Sequence, residues 1–286
     1  MDKDQNSLLV QTKRRLRQSG LKARKGLGQH FLVDEGVLEV IMAAAKVTPD
    51  DIIVEVGPGL GILTGELAQR AGGVIAIELD DRLAALLKKT LASFNNVTII
   101  NDDVLNIEPG ELLRRQRSPD YKVVANLPYY ITSPVLRHFL EAEAKPTLMV
   151  VMVQAEVAQA IAAKPGDMSL LSVSVQFYGR PEIVSRVPAE AFYPAPEVDS
   201  AVLRIELYPE PAVAVDEGGF FELVRAGFAA PRKQLANSLA QGLGLGKAQV
   251  LPLLEKADID GERRAETLTL EEWARLWRVL EEKKAW

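Results

Sequence analysis

Four short apolar runs constrain this chain more than any other feature. Residues 52–56 (IIVEV), 74–77 (VIAI), 97–100 (VTII) and 121–125 (YKVVA) each have strand length and a β-rich composition. Each stops at a turn: Gly57-Pro58-Gly59-Leu60-Gly61, Glu78-Leu79-Asp80, Asn101-Asp102-Asp103 and Asn126-Leu127-Pro128-Tyr129. Helical spacing follows at 62–71, 81–93 and 134–144, and a further apolar strand at 147–153. Strands alternating with helices at this spacing predict an α/β fold, a mostly parallel sheet covered on both faces. In such sheets ligands bind at the carboxyl ends of the strands, where these four turns lie.

The flanks add to this frame. A helix is expected at 35–46, ahead of the first run. Residues 154–163 read as helical, and 169–178 leave strand and helix open. Residues 181–187 and 199–207 read as two strands, an antiparallel hairpin at the sheet's end. After Pro209-Glu210-Pro211 the texture changes to four helical stretches, 220–230, 233–242, 247–257 and 270–284. Thr269 with Glu272 has the spacing of a capping box for the last. Two domains are therefore expected, an α/β domain over 1–208 with a basic leader and a helical domain over 209–286.

Composition removes several chemistries. With no cysteine there is no disulfide, no thiolate metal site and no Cys nucleophile, which disfavours methyl transfer to C5 of a pyrimidine. The two histidines, His30 and His138, cannot build a His-rich metal site, and no metal is expected. No stretch approaches about 18 uninterrupted apolar residues, so no membrane span is expected. The N-terminus lacks an apolar signal region, and a cytoplasmic location is expected. Net charge is −5, yet the first 33 residues hold eight Lys or Arg against Asp2 and Asp4, leaving −11 for the remainder. A concentrated basic segment can meet phosphates while the bulk stays acidic; a solvated tail is the plainer reading of the same charges.

The strand ends carry the candidate chemistry. The loop after Glu55, with Gly57, Gly59 and Gly61, lets backbone approach a ligand closely, but its spacing is not the dinucleotide fingerprint. Glu55 suits a cationic ligand such as a methionyl nucleoside. Glu78 lies 21 residues after Gly57, where a carboxylate accepts ribose hydroxyls; a dinucleotide would ask for the same residue. Asp103 is placed to accept from an adenine amino group, or simply to cap a helix. At Asn126-Leu127-Pro128-Tyr129, the Asn126 side-chain oxygen and the Leu127 carbonyl are two acceptors for the two N–H bonds of a base amino group. Aimed so, they draw that nitrogen toward tetrahedral geometry and free its lone pair. Pro128 stiffens the turn without adding a donor, and Tyr129 offers a face for stacking.

The segments GQHFL (28–32), EVGPGLGILT (55–64), AIELD (76–80), NLPYYITSP (126–134), MVQAEVA (152–158), FYPAPEVDSAV (192–202) and RAETLTLEEW (264–273) together resemble the KsgA-type small-subunit rRNA adenine dimethyltransferases. The resemblance implies a Rossmann-like S-adenosylmethionine-dependent methyltransferase sheet with a small all-helical C-terminal domain. It implies double methylation of N6 on two adjacent adenines in the 3′-terminal hairpin of 16S rRNA, within the small ribosomal subunit or its pre-30S precursor, by a monomer. Carried over by position, cofactor contacts fall on His30, Leu32, Gly57, Glu78, Asp103 and Asn126, beside the Glu55 and Gly59 of the glycine loop. The catalytic turn is Asn126 to Tyr129, and Phe192 is expected to face the flipped base across from Tyr129, in preference to a plain anchoring role. Lys22, Arg24 and Lys25 are placed to hold RNA near the cofactor mouth. Arg232 and Lys233 resemble the basic pair in the tail of relatives, where Pro231 replaces a usual basic residue. The nearest rival is the related 23S rRNA resistance methyltransferase, whose glycine loop usually carries Ser and Lys where this chain has Pro58 and Leu60.

Overall fold

Strands β-rich in Val and Ile and apolar on both faces can only be satisfied inside a covered sheet, and that is where the chain puts them. The computed structural model describes residues 7–114 and 120–284. Lys3, Asp2 and Asp4 of the basic leader lie outside the described residues, and so does the side chain of Lys25. In chain order the elements begin with α1 (Leu8–Ser19), β1 (Phe31–Leu32), α2 (Glu35–Ala45), β2 (Ile52–Val56), α3 (Ile62–Ala68), β3 (Gly73–Glu78), α4 (Asp81–Thr90) and β4 (Val97–Asn101). There follow α5 (Pro109–Leu113), β5 (Lys122–Asn126), α6 (Thr132–Leu140), β6 (Leu148–Gln154), α7 (Ala155–Ile161), α8 (Leu170–Tyr178), β7 (Gly179–Val187), β8 (Phe192–Tyr193) and β9 (Ser200–Leu207). Four helices close the chain: α9 (Glu217–Phe228), α10 (Leu235–Leu243), α11 (Lys247–Lys256) and α12 (Leu270–Lys284).

The main sheet has the order β4-β3-β2-β5-β6-β9-β7. β2 pairs in parallel with β3 and β5, β3 with β4, and β5 with β6, while β9 runs antiparallel to β6. The chain builds outward from β2 to β4, then returns to the other side of β2 for β5. That reversal opens a crevice at the carboxyl ends of β2 and β5. β2 and β3 are buried along their whole length. α2 packs on β6 and β9, and its Ile41 and Ala45 join Leu67, Val124 and Met152 in one core. The second, two-stranded sheet pairs β1 with β8, Phe31 opposite Tyr193 and Leu32 opposite Phe192.

The α/β reading of the sequence holds. The ambiguous stretch before β7 is helical: Ser169 and Ser172 cap α8 reciprocally, each side chain meeting the other's backbone N–H. α6 starts at Thr132, two residues earlier than the spacing suggested, because Pro134 sits in the first turn where no N–H is lost. Three elements were not foreseen, α1, α5 and the β1–β8 pair.

The chain divides into two compact units. One holds residues 1–158 and 181–207 and contains most of the sheet. The other holds 159–180 and 208–286. Inside it Phe177 stacks on Phe220, with ring centres 5.0 Å apart. The expected capping box of α12 is made: Thr269 N–H donates to Glu272 Oε2 at 2.8 Å and Glu272 N–H to Thr269 Oγ1 at 3.1 Å. Among the described residues no helix is long and apolar enough to cross a membrane.

Candidate active site

The crevice is lined by the four turns that close β2, β3, β4 and β5, together with residues 27–32. His30, Leu32, Glu55, Gly57, Gly59, Glu78, Asp103, Asn126, Leu127, Pro128 and Tyr129 all border it. Residues more than 90 positions apart meet here because parallel strands in register bring their ends to one edge.

Glu78 closes β3 and is almost wholly buried. Its Oε2 accepts the Gly59 N–H at 3.0 Å and its Oε1 the Asp80 N–H at 2.9 Å. Burial pushes its carboxyl up, against those two N–H groups, and the nearby Asp80 charge adds to the rise. Each oxygen keeps a lone pair for a ligand hydroxyl. Glu55, next to last in the fully buried β2, has Oε2 without a partner. Burial pushes its carboxyl up to about 8; the Thr64 hydroxyl opposes this and the charge of Glu78 reinforces it. An orphaned acid at a ligand crevice asks for a cation. Asp103 borders the pocket and also caps the short turn 104–106, with Oδ1 accepting the Leu105 N–H at 3.0 Å.

Asn126 ends β5. Its Nδ2 donates to the His30 main-chain oxygen at 3.0 Å. A carbonyl can only accept, so the amide nitrogen must face it and Oδ1 remains as an acceptor. Leu127 N–H is bound to Met152 O at 3.1 Å, while among the described residues no backbone N–H meets the Leu127 carbonyl. Tyr129 is half-buried. Its ring lies on His30, centres 5.9 Å apart and planes 20° apart, and its hydroxyl lies 2.7 Å from Ser200 Oγ. Burial raises the phenol above its ordinary range despite the Ser200 contact.

Phe192 is buried at the start of β8. Its ring is only 3% exposed and belongs to the core with Leu32, Leu38 and Val187. It does not border the crevice, and the packing is that of an anchor between Leu32 and Val187. In a two-residue strand neighbours point to opposite faces. Tyr193 takes the outer one, with Lys13 Nζ 5.0 Å above its ring.

The basic leader is also partly spoken for. Arg15 donates to the Leu60 oxygen of the glycine loop at 3.0 Å, and Arg24 pairs with the buried Asp80 at 3.2 Å. Arg14, Arg17 and Lys22 stay exposed. His138 donates from Nε2 to Ile107 O at 2.9 Å. Sequence reasoning missed Gln29 and Leu79 in the wall, Tyr130 (54% exposed at the crevice) and Ser200. The aromatic doublet YY was the only signal for Tyr130; nothing local marks Ser200 as the partner of a tyrosine 71 residues away.

Fold and strand-end pattern define a Rossmann-like methyltransferase. Solved structures agree. The 23S rRNA methyltransferase ErmE superposes with a TM-score of 0.68 at 30% identity, covering 88% of this chain and 99% of its own. A dimethyladenosine transferase from Plasmodium falciparum gives 0.74 at 25%, covering 89% and 98%. The chain belongs to the ribosomal RNA adenine dimethylase family, whose model matches residues 20–280, and is thus an rRNA adenine dimethyltransferase. A ribosomal RNA small subunit methyltransferase A from Dehalococcoides mccartyi is 56% identical, covering 96% of this chain and 94% of the relative. One from Moorella thermoacetica is 47% identical, covering 93% and 95%.

Proposed function

We propose that the enzyme dimethylates N6 of two adjacent adenines in the 3′-terminal hairpin of 16S rRNA, with S-adenosylmethionine as donor. The observation that carries the chemistry is the pinned amide of Asn126, which leaves Oδ1 as one acceptor at the end of β5, with the Leu127 carbonyl as the second. The small-subunit choice over the 23S reading is supported by 56% identity to a small-subunit relative against 30% to ErmE.

The donor set fits the cofactor. Glu78 has two lone pairs for ribose hydroxyls, Asp103 an oxygen for an adenine amino group, and orphaned Glu55 suits the cationic methionyl end. When bound, S-adenosylmethionine supplies an electrophilic methyl on a sulfonium. The protein's part is to extrude the target base, stack it on Tyr129 and hold both N6 hydrogens on Asn126 Oδ1 and Leu127 O. With one methyl already on N6, a single acceptor serves the second round. No strong base is needed, since the proton is acidified once the methyl is attached. The reading takes the enzyme to act as a monomer in the cytoplasm on the small subunit or its precursor, with Lys22, Arg14 and Arg17 meeting phosphates.

The test is to incubate the protein with labelled S-adenosylmethionine and unmethylated small subunits, then map reverse-transcription stops. Two adjacent stops near the 3′ end of 16S rRNA are expected. No label in 16S rRNA, or label in 23S rRNA instead, overturns the reading.

A further inference from the structure

His30 is tied into the crevice at three points. Its ring Nδ1 lies 2.7 Å from the Pro194 carbonyl oxygen. Since that oxygen can only accept, Nδ1 carries the hydrogen. Its ring lies nearly parallel to that of Tyr129, and its main-chain oxygen accepts from Asn126 Nδ2. The two residues that follow it, Phe31 and Leu32, pair with Tyr193 and Phe192. The loop that begins with Phe192 thus grips this segment through main chain and side chain together.

We propose that His30 is a positioning residue for methyl transfer, anchored by the Pro194 oxygen so that it fixes both the Asn126 amide and the tilt of the Tyr129 ring. The proposal rests on reading Asn126 as an acceptor and Tyr129 as the stacking surface. An amide free to rotate would turn its NH2 group toward an amino group that needs an acceptor. Transfer also demands the reacting atoms within a narrow range of distance and angle, so a loosened acceptor loses rate before it loses binding. On this account Phe192 and Tyr193 act on the chemistry through His30, without touching the base.

The first arm of the test needs no activity. The chain has two histidines, and the other, His138, is held in the opposite tautomer by Ile107 O. At pH 8, where an ordinary imidazole is neutral, nitrogen NMR of histidine-labelled protein should show one ring protonated at Nδ1 and one at Nε2. The variant His138→Gln should retain only the Nδ1–H form. Two Nε2–H rings would mean that the tether does not exist.

The second arm compares His30→Asn, whose Nδ2 can replace the donor to Pro194, with His30→Phe, which keeps a ring against Tyr129 but no donor. Single-turnover transfer to unmethylated small subunits at saturating cofactor should fall roughly 10- to 100-fold in His30→Phe and stay within about threefold in His30→Asn. Because His30 also borders the cofactor crevice, affinity for S-adenosylhomocysteine is measured by calorimetry in both variants, and the rate loss in His30→Phe should exceed any loss of affinity. A wild-type rate in His30→Phe, a loss explained wholly by weaker cofactor binding, or a loss that vanishes on cooling along with a lowered Tm would each overturn the proposal. If the wild type itself transfers nothing, the substrate reading has failed, and the tautomer spectrum still decides whether His30 holds the turn.

Discussion

The main-chain N–H of Asp80 donates to Oε1 of Glu78 at 2.9 Å, so the residue that caps α4 also orients the acid at the end of β3. The Asp80 carboxylate is buried, yet it holds Arg24 at 3.2 Å, Gln29 at 3.4 Å and the Arg82 N–H at 3.0 Å. Residues 24–29 are thereby latched to the strand end that carries Glu78.

Asp80→Asn isolates the charge of that latch, because Asn still caps α4. Burial alone would raise the Asp80 carboxyl, but the Arg82 N–H and the charge of Arg24 outweigh it and hold it below its ordinary value. A depressed acid stabilises the fold above its unfolded pKa and loses that contribution as pH falls through the folded one. The variant should therefore lose about 0.5–1 kcal/mol at pH 7, since Arg24 is half exposed, and the difference from wild type should shrink below pH 3.8. Thermal melts across pH measure both. The KM for S-adenosylmethionine should rise more than kcat falls, as the wall at Gly28 and Gln29 loosens.

Asn126→Ala removes one of the two acceptors and leaves the His30 oxygen unmet. Loss of a preorganised group of this kind typically lowers rate by about 10²- to 10³-fold. Asn126 is only half-buried at a strand end, so Tm should move by no more than a few degrees. Single-turnover assays beside melts separate the two effects, and transfer at the wild-type rate would falsify the acceptor role.

What the sequence made legible follows from how each signal is encoded. The four strands and their turns could be read because burial on both faces writes an unbroken apolar run, and each turn uses residues with special backbone or acceptor chemistry. Helix α1 could not be read. Of its twelve residues only Thr12 and Leu16 are buried, and what holds it is distant in sequence: Leu16 packs with Phe31, Leu60 and Leu83, and Arg15 reaches the Leu60 oxygen. The β1–β8 pair is two residues long and joins segments some 160 positions apart, so no local period announces it. That is also why the burial of Phe192 beside an outward Tyr193 could not be read. Within so short a strand, the side each residue takes is set by the partner strand and not by composition.

Glu55→Gln addresses the orphaned carboxyl. An acid raised to about 8 in the fold against 4.5 when free keeps its proton in the native state while the unfolded chain loses it. Stability of the ligand-free protein should then decline as pH rises from about 4.5 to 8, by up to ~1.4 kcal/mol per pH unit, and level off above. In Glu55→Gln this slope should flatten. Cofactor binding should draw the group into its ionised form, so wild-type affinity for S-adenosylhomocysteine should improve from pH 6 to pH 8 and that of Glu55→Gln should not. Calorimetry in buffers of different ionisation enthalpy would show proton release only in the wild type. Equal pH profiles for the two proteins would contradict the assignment.

Gly59→Ala tests the loop itself. Gly59 has φ +58°, a backbone region that L side chains rarely adopt, and an added Cβ would sit 3.1 Å from the Phe31 ring. Its N–H is also the donor to Glu78 Oε2. Alanine must either strain the turn by about 1 kcal/mol or more or push Phe31 out of its place against Leu60. Both responses move the N–H that holds Glu78. The expected outcome is a loss of S-adenosylhomocysteine affinity of at least tenfold with a modest fall in Tm, while the four-strand frame survives in circular dichroism. Gly65→Ala provides the control: it lies on α3 with nothing within 4 Å of an added Cβ, and Ala favours a helix interior by roughly 1 kcal/mol over Gly. That variant should bind like wild type and melt slightly higher. Should both variants bind equally well, the glycine loop does not hold the cofactor through Glu78.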